Sequence, residues 1–83
     1  MGNNKIIAVL HIHKINRKVD IEIPLDITAN ELVIALNKAY DFGIDTDDLS
    51  QCFLRSENPV AFLKGNKLLS EYGLRNGTLI NHI

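Results

Sequence analysis

The sequence has 83 residues, a formal net charge of −1 and 46% apolar residues. This length suits one domain, and a charged fraction of 23% is typical of chains that fold and are not disordered. We therefore expect a single domain spanning residues 1–83. The small net charge excludes an overall field strong enough to recruit nucleic acid or anionic lipid.

The charges are nevertheless unevenly distributed along the chain. Residues 1–19 contain four basic residues and no acid, and residues 20–48 contain eight acids and one lysine. Residues 49–83 contain four basic residues and two acids. If the fold gathers the two basic stretches, this pattern predicts a basic sheet side and a helix side dominated by acids.

The single cysteine, Cys52, cannot form an internal disulfide, and this favours a reducing compartment. The longest apolar runs fall far short of the roughly 20 residues that a membrane-spanning helix needs. The N-terminus also lacks the apolar stretch of a signal peptide. We expect a cytoplasmic protein with no membrane span.

The first half of the chain begins with two predicted strands. Residues 5–14 are rich in isoleucine, valine and leucine, and residues 19–23 alternate strictly between apolar and acidic side chains. Both patterns predict strands that pair as a hairpin. Pro24 lacks a backbone donor and is expected to end the second strand.

A helix is predicted to follow the hairpin. Thr28 and Glu31 have the spacing of a capping box, in which each side chain bonds the other residue's backbone amide. Good helix formers with an apolar stripe continue to Tyr40, and Gly43 is expected to close the helix. Four aspartates in residues 41–48 predict an exposed connection.

The second half of the chain predicts three short strands at residues 51–56, 60–63 and 78–83, with an irregular segment at residues 69–74. A right-handed crossover through the helix places the first and last strands side by side at the centre of the sheet. The predicted fold class is α+β, a β-grasp with a mixed five-stranded sheet and one helix packed on one face.

Two stretches carry a resemblance to a known family. The sequence from Leu69 to Leu74, with its leucine, acid and tyrosine, resembles the turn before the last strand of ubiquitin-like domains. The alternating Val19, Ile21 and Ile23, and the run from Gly73 to Gly77 before the last strand, are similar to the YukD/EsaB group of bacterial ubiquitin-like proteins.

This resemblance implies a cytosolic accessory or regulatory component of a Gram-positive type VII secretion system, which acts by contact with a protein of that system. Ubiquitin-like modifiers are conjugated through a flexible tail that ends in two glycines. This sequence instead ends with residues 80–83 in a predicted strand, so we expect neither conjugation nor sulfur transfer.

The reactive side chains do not form a recognisable catalytic or metal motif. His11 and His13 share a strand face and His82 could approach them, but a full metal-ligand set is missing. Asp45 and its neighbouring aspartates lack the glycine and glutamate of a calcium loop. Cys52 is expected to fill the core. We predict a non-enzymatic protein without a cofactor or metal.

The candidate functional feature is an exposed sheet face. If the even-numbered residues of the first strand face the helix, then Ile7 and Val9 lie on the opposite face, joined by Leu79. In the opposite register the exposed patch disappears. Basic residues are expected around this patch: Lys14, Arg17, Lys18, Arg55, Lys64 and Arg75. The candidate partner-binding residues are Ile7, Val9, His11, Lys14, Arg17, Arg55 and Leu79.

Two other occupants of this surface compete with a protein of the secretion system. A basic sheet side could bind nucleic acid, although it lacks interleaved aromatic residues for stacking on bases. An exposed apolar sheet face could also pair two copies of the chain as a homodimer.

Overall fold

The hairpin at the start of the chain forms one edge of the sheet. The computed structural model describes residues 4–48 and 50–82. Strand β1 (Lys5–Ile12) pairs antiparallel with β2 (Arg17–Pro24). A 3-10 turn at His13–Ile15 joins them, and Asn16 follows it in the left-handed region at φ 50°. The strand predicted to reach residue 14 therefore ends at residue 12, and His13 lies in the turn.

The predicted capping box starts helix α1 (Ala29–Tyr40). The amide of Glu31 donates to Oγ1 of Thr28 at 3.1 Å, and the amide of Thr28 donates to Oε1 of Glu31 at 2.9 Å. The expectation that Gly43 closes the helix is wrong. Asp41 takes the left-handed conformation at the helix end, with φ 54°.

The remaining strands are short: β3 (Leu54–Glu57), β4 (Ala61–Leu63) and β5 (Leu79–His82). Strand β3 starts later than predicted, so Cys52 precedes it instead of lying within it. The segment expected to be irregular contains a 3-10 turn at Leu69–Tyr72, and its first residue is fully buried. Ile83, which we predicted to end the last strand, lies outside the described residues.

The sheet has the strand order β2-β1-β5-β3-β4. Strands β1 and β5 run parallel at its centre, and the other neighbouring strands are antiparallel. The even-numbered side chains of β1 and the apolar stripe of α1 share a core with residues from every other strand. This arrangement confirms the predicted mixed five-stranded β-grasp with a helix on one sheet face.

Backbone hydrogen bonds fix the start of α1 against the segment after β4. The amides of Ala29 and Asn30 donate to the carbonyl oxygens of Lys67 and Gly65, both at 2.9 Å. The Tyr72 hydroxyl donates to the Lys64 carbonyl at 3.2 Å and so braces the same loop. These contacts hold the helix on one side of the sheet. Over residues 4–48 and 50–82, no helix is both long and apolar enough to cross a membrane.

Candidate protein-interaction surface

The sheet face that points away from α1, here called the open face, carries the odd-numbered residues of β1. The even-numbered residues of this strand lie in the core and are at most 8% exposed. Ile7 is 48% exposed on the open face, and Val9 beside it is partly buried. The predicted register of β1 is therefore confirmed, and the opposite register, in which the apolar patch disappears, is wrong.

Strand β5 extends this apolar surface. Leu79 is aligned with Val9 across the parallel pair, so both side chains lie on the open face. Ile80, the next residue, is fully buried on the helix side. Ile7, Val9 and Leu79 form a continuous line, here called the apolar strip.

A further apolar side chain on the open face, Phe62, was missed from the sequence. It is 56% exposed and lies opposite Arg55 in the β3–β4 pair. Its ring meets Phe53 edge to face, with centroids 5.7 Å apart. Phe62, Arg55 and Asn81 also line a cavity of about 560 Å³ at this end of the sheet. The open face therefore combines an apolar strip with a concave, aromatic corner.

The charges around the apolar strip are of both signs, which corrects the expected separation into basic and acidic sides. The acids of β2 alternate with the apolar residues that enter the core, so they lie on the open face with Ile7 and Val9. The Nζ atom of Lys5 approaches Oε2 of Glu22 to 4.0 Å. The charged residues on this face are Lys5, Lys18, Asp20, Glu22, Arg55 and Glu57.

Two of the predicted partner-binding residues, Lys14 and Arg17, do not belong to the open face. Arg17 is paired with Ile12, a core residue, and therefore points to the helix side of the sheet. Lys14 lies in the 3-10 turn. Both line a separate groove near the end of α1. Of the predicted basic rim, Lys18 and Arg55 lie on the open face, and Lys14 and Arg17 line this groove.

A polar network borders the open face near His11. Nε2 of His13 donates to Oδ1 of Asn81 at 2.8 Å, and Nδ2 of Asn81 donates to Oε2 of Glu57 at 2.9 Å. The rings of His11 and His13 stack with centroids 3.7 Å apart. Although Asn81 is on the open face, it is only 4% exposed. This network ties the hairpin turn to β5 and β3.

His82 does not join the other two histidines. It is aligned with Ile12 on the helix side, and its ring stacks on Phe42 with centroids 4.0 Å apart. Burial, and then the positive charges of Lys14 and His13, lower the pKa of His82 from 6.5. The described part of the chain shows no group of three or more His, Cys, Asp or Glu side chains placed to hold a metal ion.

The pKa of His11 is also lowered from 6.5. Desolvation is the first cause, followed by the positive charges of His13 and Lys18. The neutral form of both histidines is therefore favoured near pH 7.

The aspartates after α1 bond their own loop. Oδ1 of Asp45 accepts from the amide of Asp47 at 3.0 Å, and Oδ1 of Asp48 accepts from the amide and hydroxyl of Ser50. These bonds from Ser50 lower the pKa of Asp48. The carboxylates thus stabilise turns in the connection.

Cys52 occupies the core, where its Sγ atom donates to Oδ1 of Asn30 at 3.0 Å. Burial raises the pKa of this thiol, so the nucleophilic thiolate is disfavoured. These surroundings are those of a structural cysteine.

The comparison with family models is decisive for the identity of the chain. The model described as "WXG100 protein secretion system (Wss), protein YukD" matches residues 7–81. The chain belongs to the YukD family. This confirms the resemblance drawn from the turn before β5 and from the alternating residues of β2, and it makes the protein a ubiquitin-like member of a family associated with WXG100 protein secretion.

Solved structures confirm the ubiquitin-like fold of this YukD-family protein. The C-terminal ubiquitin-like domain of mouse tubulin-specific chaperone e matches with a TM-score of 0.73 and 12% identity, covering 98% of this chain and 87% of that chain. The ubiquitin-like domain of Plasmodium falciparum Dsk2 matches with a TM-score of 0.63 and 19% identity, covering 93% and 96% of the two chains.

A ubiquitin-like domain from Arabidopsis thaliana gives a TM-score of 0.66 at 14% identity, with 95% of this chain and 76% of that chain covered. At these identities the likeness concerns the fold alone. No sequence among the curated proteins matches the chain significantly.

Proposed function

We propose that this protein is a non-catalytic docking module of a WXG100 secretion system, which works in the cytoplasm and binds another component of that system through the open face. Membership of the YukD family supports the link to secretion. The observation that carries the docking role is the apolar strip, because Ile7, Val9 and Leu79 lie side by side on a sheet face that α1 does not cover.

The composition of the open face suits a protein partner. An apolar centre surrounded by charges of both signs is typical of a protein–protein interface, where burial provides affinity and the rim provides specificity. Burying one such aliphatic side chain contributes about 1.5–3 kcal/mol. Nucleic acid is disfavoured as the occupant, since Asp20, Glu22 and Glu57 would face its phosphates.

A non-catalytic and cytoplasmic role is supported by the state of Cys52. Its thiol is buried and its pKa is raised, so this side chain is placed for packing and not for nucleophilic attack. A single reduced cysteine also suits the cytoplasm.

The test is a substitution in the apolar strip. Val9→Asp places a charge at the centre of the strip, where it would be desolvated on binding. In a bacterium that produces this protein, we expect the variant to stop cross-linking to its secretion-system component and to reduce export of WXG100 proteins. The measurements are co-purification after cross-linking and immunoblotting of the culture medium.

Ile34→Asp is the matched control, since Ile34 is an exposed apolar residue of α1, away from the open face. It should cross-link and support export as the wild type does. Circular dichroism must show that Val9→Asp is folded, and Ile7→Glu provides a second variant if it is not.

Normal cross-linking by a folded open-face variant would contradict the proposal. A concentration-dependent dimer in sedimentation, lost in the same variant, would identify a second copy as the occupant.

A further inference from the structure

A second concave surface lies where the hairpin turn meets the end of α1. It has a volume of about 420 Å³ and is here called the terminal groove. The turn between β1 and β2 contributes Lys14 and Ile15 to it, and β2 contributes Arg17. The chain at the end of α1 contributes Tyr40, Asp41 and Phe42. The terminal groove is separate from the apolar strip, because Arg17 points to the helix side of the sheet.

The apolar part of the groove is large enough to receive a side chain from another molecule. Ile15 is 61% exposed and Tyr40 is 39% exposed, although both are large apolar residues beside a buried Phe42. The rings of Tyr40 and Phe42 stack with centroids 5.9 Å apart, and Phe42 is supported by its stack on His82. The groove therefore has a preformed aromatic floor that leaves apolar surface in water.

The charged part of the groove is basic. Neither Lys14 nor Arg17 makes an ion pair with a residue in the described ranges. Asp41 also lines the groove and opposes them, which leaves a net charge of +1. The other acids near this hairpin, Asp20 and Glu22, lie on the open face and leave the two cations free for a ligand.

We propose that the terminal groove binds a short acidic segment of a partner protein, whose apolar side chain packs on Ile15, Tyr40 and Phe42 while its carboxylates pair with Lys14 and Arg17. The guanidinium of Arg17 offers a planar fork that matches a carboxylate. Two cations and one acid in a narrow groove suit a peptide with few charges, whereas nucleic acid requires a more extensive basic surface. This docking point is additional to the open face and does not depend on the role proposed for it.

The test uses the ¹⁵N-labelled protein and a synthetic tetrapeptide, capped at both ends, with leucine and phenylalanine between two aspartates. We expect saturable amide shifts confined to residues 12–19, 40–42 and 82, and an affinity that weakens as salt rises. The same peptide with lysines in place of the aspartates should produce no such shifts. An aspartate peptide with alanines in place of leucine and phenylalanine should bind more weakly.

Matched substitutions assign the binding to the groove. Arg17→Glu should weaken the affinity by about fivefold or more, and Asp41→Asn should strengthen it by about twofold. Lys38→Glu changes a cation of α1 that does not line the groove and should have little effect. Val9→Asp should bind the peptide as the wild type does, which separates this proposal from that for the open face.

Three results would overturn the proposal. The first is the absence of saturable shifts from the aspartate peptide at millimolar concentration, and the second is equal binding of the lysine peptide. The third is a change of the groove amides with protein concentration alone, which would identify a second copy of the chain as the occupant.

Discussion

The two faces of the sheet are made by alternate residues of the same strands, yet they differ in every physical respect. Ile6 and Ile7 are neighbours of the same residue type, but the first lies in the core and the second is exposed. The face toward α1 carries the apolar core, with polar residues such as Arg17 and His82 only at its end, whereas the open face mixes an apolar strip with charges of both signs. One strand can therefore supply stability through one set of residues and recognition through the other.

The largest expected effect tests this division directly. Leu10→Ala removes a fully buried side chain from the core and should lower the free energy of unfolding by about 3 kcal/mol. Ile7→Ala removes a comparable side chain from the open face and should cost less than about 1 kcal/mol. Urea unfolding followed by circular dichroism measures both. Equal losses would show that the open face also carries the fold.

The second prediction concerns Asn81, the open-face residue that is itself buried. Asn81→Ala removes the bonds to His13 and Glu57 and should lower the free energy of unfolding by about 1 kcal/mol. The same urea experiment applies, with Glu57→Ala as a partial loss of the network. An unchanged midpoint for Asn81→Ala would mean that water replaces both bonds without cost.

The smallest expected effect is a change of the melting temperature with pH, to which one histidine on each sheet face contributes. In the folded protein, the pKa values of His82 and His11 are lower than the 6.5 of a free histidine. As the pH falls, these two side chains are therefore protonated more readily in the unfolded chain than in the folded one. Both groups thus contribute stability above pH 6.5 that is lost on acidification. We expect the melting temperature to decrease between pH 7 and pH 5.

His82→Phe should flatten this profile more than His11→Gln, because His82 is packed on the helix side against Phe42 while His11 lies on the open face. Calorimetry at several pH values gives the comparison. A melting temperature that rises on acidification over this range would contradict the assignment of the lowered pKa values.

The parts of the fold that depend on local sequence could be predicted. The capping box of Thr28 and Glu31 is a contact between near neighbours, and the phase of β1 follows from its own alternation. The end of α1 could not be predicted in this way. There the side chain of Asn37 bonds both backbone groups of Ile44, and two residues are left-handed: Asp41 at φ 54°, which ends the helix, and Gly43 at φ 75°, which follows it.

The candidate site could be predicted only where the alternation of side chains along a strand decides which face a residue lies on. The apolar strip follows from the alternation of β1 and from one parallel neighbour. To predict that Phe62 lies on the open face, the register between β3 and β4 is needed, and the sequence of a three-residue strand does not specify it. The sheet face of Arg17 could have been predicted, because Arg17 stands two residues before Val19 and therefore lies on the same face of β2.

The parallel pairing of β1 with β5 has a consequence for the synthesis of this protein. Strand β1 needs β5 as its central neighbour, so the sheet cannot close until β5 has emerged from the ribosome. Until then β1 lacks one of its two neighbouring strands, and part of its backbone stays unpaired. Closure of the sheet therefore follows the synthesis of β5 and depends on a contact between distant parts of the sequence.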